Sequence, residues 1–261
     1  MNFLYDLPLW IVGVVMVVVL CGAAILGLHV VRRRVLPRFH IAEEDGHFIS
    51  TMVHSFMVFY ALTVALIAIT VWETYDAAAR VVSSEATALG TLYRDVSAYP
   101  SPTKAQLQDA LRQYTEHAIQ VAWPEQHRGI VPRGGIDRMD QFEGLLTGFE
   151  PTTEGEKILH AETLRAFNQL SDARRMRLDA VNTALPGLLW TVILLGAALG
   201  VAGSYFFRVK DPRLHQCLVA LLTTFIAMVI FVVFAFDRPF RGDMGIDAEP
   251  YQLVHDQLMR R

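Results

Sequence analysis

Three ionisable side chains stand where an apolar run of the sequence turns polar: Glu73, Asp76 and Arg80, at i, i+3 and i+7. On an α-helix that spacing sets them on one face. The same face carries Ser55, Leu62, Leu66 and Ile69 before them and Ser84, Thr87, Thr91 and Arg94 after them. Such a stripe acquires a chemistry when several copies surround an axis. Leu62, Leu66 and Ile69 would form a constriction that dewets. Glu73, Asp76, Arg80, Thr87 and Arg94 would form a mouth that concentrates or selects ions. The plainer alternative is a helix leaving a bilayer with its polar side in water, Asp76 and Arg80 forming a helical pair worth about 0.3 kcal/mol. Asp237, Arg238 and Arg241 follow a later apolar run at the same expected level. They read either as salt-bridge partners for Glu73 or Arg80 or as interfacial anchors.

Other chemistry finds little support. His117, His127 and His160 lie among many acids, but no H-E-x-x-H, C-x-x-C or paired-histidine spacing gathers them into a metal site. Glu116–His117 and His160/Glu162 are spaced so that each pair points to different helix faces. No G-x-S-x-G elbow, P-loop or G-x-G-x-x-G is present, and Arg133-Gly134-Gly135 reads as a turn and not a phosphate cradle. An enzyme, a bound cofactor and a resident metal are therefore not expected. A formal net charge of −3 gives no footprint for nucleic acid. Cys21 and Cys217 both lie in apolar runs and read as small apolar fillers, not a disulfide.

The elements that must carry the stripe follow from composition. Of the 261 residues, 53% are hydrophobic, more than a soluble domain of this size usually holds. Leu9 to Val31 is long enough to span a bilayer, and Arg32, Arg33 and Arg34 follow it instead of preceding it, the mark of a retained anchor and not a cleaved signal. Residues 32–50 form a short link in which Pro37 and Gly46 argue against a continuous helix. Thr51 to about Ala98 reads as one helix, apolar and then polar, roughly 70 Å long at 1.5 Å per residue. Tyr99-Pro100-Ser101-Pro102 stops it. An amphipathic helix from Thr103 to Trp123 comes next, with Gln106 placed for a capping box and Pro124 ending it. After a Gly-rich loop, Asp137 could cap a short helix carrying Phe142, Leu145, Leu146 and Phe149. Thr153 and Glu156 make a second capping box at the head of a long helix that runs to Pro186. Leu188 to Phe207 and Cys217 to Phe236 are the third and fourth spans, the third carrying Gly196, Gly200 and Gly203 where another helix could approach closely.

The expected fold is an all-α membrane protein with four transmembrane helices and a helical bundle inserted between spans 2 and 3, both of which continue into long bundle helices. The divisions are residues 1–72 for spans 1 and 2, 73–185 for the bundle, 186–236 for spans 3 and 4, and 237–261 for a polar tail. Arg32, Arg33, Arg34 and Arg38 in one short loop, and Arg208, Lys210 and Arg213 in the other, place both loops in the cytoplasm by the positive-inside rule. Both termini and the bundle then lie outside.

At this level the chain resembles the bestrophin-like family of bacterial membrane proteins. The residues that carry the resemblance are Glu85 with Leu89; Leu92-Tyr93-Arg94; Tyr114, then Trp123-Pro124; Arg174 and Arg177-Leu178; Pro186 and Trp190; and Asp237, Pro239-Phe240 and Gly242. The acid that usually precedes the Trp-Pro pair is Ala122 here. The resemblance implies the inner membrane, a homo-oligomer and a distant relation to anion channels built as pentamers around their second span. Bestrophins carry their large domain in the cytoplasm, opposite to the side expected here. The reading from the residues is a homo-oligomeric ion channel in contact with lipid, copies of itself and inorganic ions. Acids nearest the constriction favour cations, whereas the family relation favours anions. The alternative is a sensor or adaptor whose outer bundle acts through a partner protein.

Overall fold

The computed structural model describes Tyr5 and residues 7–38, 43–207 and 209–260. Asp6 of the lead, residues 39–42 of the link, Arg208 of the second basic loop and Arg261 of the tail lie outside the described residues. Among the described residues the regular structure is all helix, with no strand. The helices are α1 (Leu9–Val30), α2 (Glu43–Val96), α3 (Thr103–His117), α4 (Trp123–His127), α5 (Gly135–Thr147), α6 (Glu154–Val181), α7 (Gly187–Ser204), α8 (Pro212–Phe236) and α9 (Glu249–Val254). Four segments are long and apolar enough to cross a membrane: Leu9–Arg38, Gly46–Val96, Gly187–Ser204 and Pro212–Phe236.

The chain divides into two compact units, Met1–Glu73 with Ala184–Asp237, and Thr74–Thr183 with Arg238–Arg261. In the first unit, α1 packs along α8, Gly13 facing the Phe231 ring. Ala24, Leu28, Val64, Ile67, Val71, Ile193, Ala197, Val201, Ile226 and Ile230 form its core. The three glycines of the third span do the work expected of small residues. A Cβ on Gly196 would sit in the Tyr60 ring, one on Gly200 against Met57 Sδ, and one on Gly203 at 2.9 Å from Val53 Cγ2. Tyr60 then donates its hydroxyl to the Ile193 carbonyl at 3.1 Å, fixing α2 on α7. Overpacking such a contact costs about 1–3 kcal/mol. Gly196→Leu is expected to lower the melting temperature of the detergent-solubilised protein by several degrees. Gly22→Leu, where nothing lies within 4 Å of the new Cβ, should leave it unchanged.

In the second unit, α2 turns Val82, Ala86, Leu89, Leu92 and Val96 inward at helical spacing. They meet Leu107, Leu111, Phe142, Leu146, Phe167 and Leu170 from α3, α5 and α6. The C-terminal residues, polar in sequence, belong to this core. Tyr251 of α9 is wholly buried, Met259 is 3% exposed, and Arg112 reaches back to the Met259 carbonyl at 3.0 Å.

Several boundaries differ from the sequence reading for local reasons. Gly46 does not break α2, which begins at Glu43, because one glycine costs a helix only about 1 kcal/mol. Thr103 is the first helical residue of α3 and makes no cap, so no capping box with Gln106 forms. Pro124 does not end the helical path. A π-helical turn, Ala118–Ala122, resets the backbone, and Pro124 then falls in the first turn of α4, where its missing N–H is not needed. Asp137 lies in the first turn of α5, while Gly134 holds the cap position. The Thr153/Glu156 box forms as expected, Glu156 N donating to Thr153 Oγ1 at 3.2 Å and Thr153 N donating to Glu156 Oε2 at 3.1 Å.

Candidate functional site

Within the first unit, Leu62, Leu66 and Ile69 are 58, 58 and 54% exposed, on the side of α2 opposite buried Val64, Ile67 and Val71. Glu73 is exposed at the end of this stretch. The apolar half of the stripe is therefore unpaired surface within the subunit, as a pore-lining or lipid-facing side must be. Thr63 and Thr70 donate their hydroxyl protons to the Phe59 and Leu66 carbonyls of the same helix, at 2.9 and 3.0 Å.

Within the second unit, the same helix borders an open groove of about 830 Å³. Arg80, Ser84, Thr87 and Thr91 of α2 form one wall, and Gln169, Asp172 and Met176 of α6 the other, over a floor that includes Ala77, Ala88 and Ala173. Thr87 and Thr91 donate to the carbonyls of Ser83 and Thr87 at 2.8 and 3.1 Å. Arg80 forms an exposed ion pair with Asp76. Of the residues expected at a mouth, Arg80 and Thr87 line the groove. Asp76, half-buried, serves Arg80, and Arg94 is exposed farther along the helix without lining it. Asp237 accepts from Tyr5 Oη at 2.9 Å and from Leu185 N at 2.6 Å, so it ties the start of α7 to the end of α8. Arg241 is buried with its side chain against Gly129, whose φ of 73° only glycine adopts readily. Among the described residues no three His, Cys, Asp or Glu side chains converge as metal ligands.

Behind the polar wall, α2 buries a charge. Glu85 is 0% and Arg177 of α6 2% exposed. Arg177 Nε donates to Glu85 Oε2 at 2.6 Å and Nη2 to Oε1 at 3.2 Å, a two-pronged pair. Tyr114 of α3 donates its hydroxyl to Glu85 Oε1 at 2.6 Å. The guanidinium carbon lies 5.2 Å from the centre of the Trp123 ring and 5.9 Å from that of Tyr251. Trp123 is fixed in turn by donating to the Ile246 carbonyl at 2.9 Å. Burial works against the Arg177 charge, but Tyr251, Glu85 and Tyr114 together hold its pKa well above the ordinary value. Burial, and after it the Glu85 carboxylate, raise the pKa of both Tyr114 and Tyr251.

A raised folded-state pKa gives stability that is fully present below the unfolded value, near 10, and is lost as pH rises through the folded value. The second unit is therefore expected to unfold on alkaline titration above about pH 10, with Tyr114 and Tyr251 ionising only as it opens. Ultraviolet tyrosinate absorbance and circular dichroism followed together would check this. Tyrosinate that appeared fully before any loss of helix would contradict it.

No curated protein and no solved structure matches the chain. A family model does: that of the Bestrophin-like domain, over residues 17–251. The chain belongs to the bestrophin-like family. Family and four apolar helices together make it a membrane protein. The match runs from α1 into α9 and so takes in both units.

In this bestrophin-like protein the scattered residues behind the sequence resemblance turn out to be neighbours. Glu85, Tyr114, Trp123 and Arg177 form the one buried polar cluster just described. Pro186 precedes α7, beside the Leu185 N–H that Asp237 binds. Sequence reasoning on the stripe missed the Glu85–Arg177 pair. The signal was present, because an acid on the otherwise apolar face of α2 needs a buried cation.

Proposed function

We propose that this protein is a homo-oligomeric ion channel of the bacterial inner membrane, with α2 of each subunit lining the pore. The observation that carries the reading is the unpaired side of α2: Leu62, Leu66 and Ile69 stand exposed along its apolar half, and Arg80, Ser84, Thr87 and Thr91 line an open groove along its polar half. Leu62, Leu66 and Ile69 form the constriction. Glu73, Asp76, Arg80, Thr87 and Arg94 form the mouth. The bundle of residues 73–185, inserted between the second and third spans, and both termini lie outside the cytoplasm, in keeping with the basic short loops. The protein acts as a conduit and not as an enzyme, and it works with lipid, ions and copies of itself, five in the related channels.

Purified protein in liposomes should pass a current that distinguishes ions. Absence of current at every pH and voltage tried would sink the proposal. The groove between α2 and α6 also favours a second reading, a sensor or adaptor whose ligand or partner occupies it. Co-purification of one stoichiometric partner, with no flux, would select that reading.

A further inference from the structure

Within the first unit, the end of α8 away from Asp237 is basic. Helices α1 and α8 run antiparallel, with Gly13 facing the Phe231 ring and Cys21 Sγ 3.2 Å from Thr224 Oγ1. Carried to the end of α1, that register brings Arg32 level with Pro212 and Arg213. A π-helical turn, Val31–Val35, continues α1 and carries Arg32, Arg33 and Arg34, and Arg38 follows it. Lys210 precedes α8 and Arg213 stands in its first turn. None of these cations pairs with a carboxylate among the described residues. Asp211 caps α8, accepting from Arg213 N at 2.8 Å. The acids Glu43, Glu44 and Asp45 come after Arg38, at the head of α2.

Below the basic end, a groove of about 220 Å³ runs between α1 and α7 over α8. Ala23 and Ala198 are its exposed rims, and Ile226 and Ile230 its buried floor. From Tyr205 to Leu194 it is roughly 16 Å long at 1.5 Å per residue, about one leaflet of a hydrocarbon layer near 30 Å thick. Tyr205, only 7% exposed, lines its basic end. Gly27 leaves room for the hydroxyl, since a Cβ there would lie 2.6 Å from Tyr205 Oη. That hydroxyl has no hydrogen-bond partner among the described residues, which is costly at the edge of hydrocarbon. It sits beside Gly27, about 7–8 Å below Arg32 along α1.

We infer that this face binds one acidic glycerophospholipid. Arg32 and Arg213 hold its phosphate, Tyr205 Oη donates to a glycerol ester carbonyl, and one acyl chain lies in the groove. The anionic, ester and hydrocarbon layers of the lipid meet cations, a free hydroxyl and an apolar trough in the same order. A zwitterionic lipid brings its own ammonium beside the phosphate and leaves the arginines unbalanced. A second copy seated by the same face would set like charges against each other. Free phosphate would leave both trough and hydroxyl unfilled.

The full-length protein in detergent tests this. Phosphatidylglycerol should raise its melting temperature by about 3–6 °C over an equal amount of phosphatidylcholine. Glycerol 3-phosphate, the headgroup without chains, should give no rise. Arg32→Gln/Arg213→Gln should abolish the difference, while the remaining loop cations keep the topology signal. Ala198→Phe keeps every charge but fills the groove from its exposed rim, and should abolish it too. Tyr205→Phe should need several-fold more lipid for the same rise. Native mass spectrometry should count one retained phosphatidylglycerol per subunit in the parent and none in Ala198→Phe. Equal melting in the two lipids, or a rise with glycerol 3-phosphate alone, would overturn the assignment. So would a full lipid response in either blocking variant. Loss of self-association in Ala198→Phe with the lipid response intact would give the groove to a second copy instead.

Discussion

Glu85→Gln should be among the most damaging conservative substitutions in the protein. The amide keeps the shape of the carboxylate but removes the charge that balances Arg177 in the two-pronged pair, leaving a guanidinium 98% buried with a neutral partner. Breaking a buried pair from one side costs about 3–5 kcal/mol, a large part of the ~5–15 kcal/mol that holds a typical fold. The melting temperature of the solubilised protein should fall by roughly 10 °C or more. Arg177→Met alone should do similar harm by stranding the carboxylate. The double variant Glu85→Leu/Arg177→Met removes both charges and should recover most of the loss, since a well-packed apolar replacement of an ion pair is often neutral. Tyr114→Phe, which deletes one hydrogen bond to a charged group, should cost only about 1.5–3 kcal/mol. If Glu85→Gln melted with the wild type, the pair would not be what holds α2 to α6.

Leu66→Ser carries the largest expected effect on conduction. A pore ring of leucine side chains excludes water because each offers it no hydrogen bond, and fully burying a leucine is worth about 1.5–3 kcal/mol. A serine in every copy would wet the ring. A barrier lowered by only ~1.4 kcal/mol already raises flux about tenfold. In liposomes the variant should therefore conduct about tenfold more than the parent, and Leu62→Ser should do the same. Leu221→Ser is the control, because Leu221 of α8 is 69% exposed but lies outside the proposed lining. Equal currents from Leu66→Ser and the parent would show that this side of α2 faces lipid.

The four apolar helices were legible in the sequence because length and hydropathy alone specify them, and the tight seat of α2 on α7 was announced by Gly196, Gly200 and Gly203. The exposed stripe was legible because a single α-helix fixes which residues share a face. The breaks were read less well. Pro124 and Gly46 look like stops, yet a π-helical turn absorbs the first, and a single glycine costs the long α2 too little to end it at the second. The tail was misjudged by its average polarity, which hides the anchoring of Tyr251 and Met259. The Glu85–Arg177 pair joins residues far apart in the chain, and no local pattern brings such groups together. It becomes visible only when α2 and α6 are packed.

Several hydroxyls along α2 share one habit. Thr51, Ser55, Thr63, Thr87 and Thr91 each hand their proton to the carbonyl one turn back. What they show outward is therefore oxygen with its lone pairs and no hydrogen to give. A row of such oxygens can replace part of the water shell of a sodium or potassium ion. In the proposed pore, a chloride passing the same row would find no hydroxyl proton to bind and would have to rely on Arg80 and Arg94.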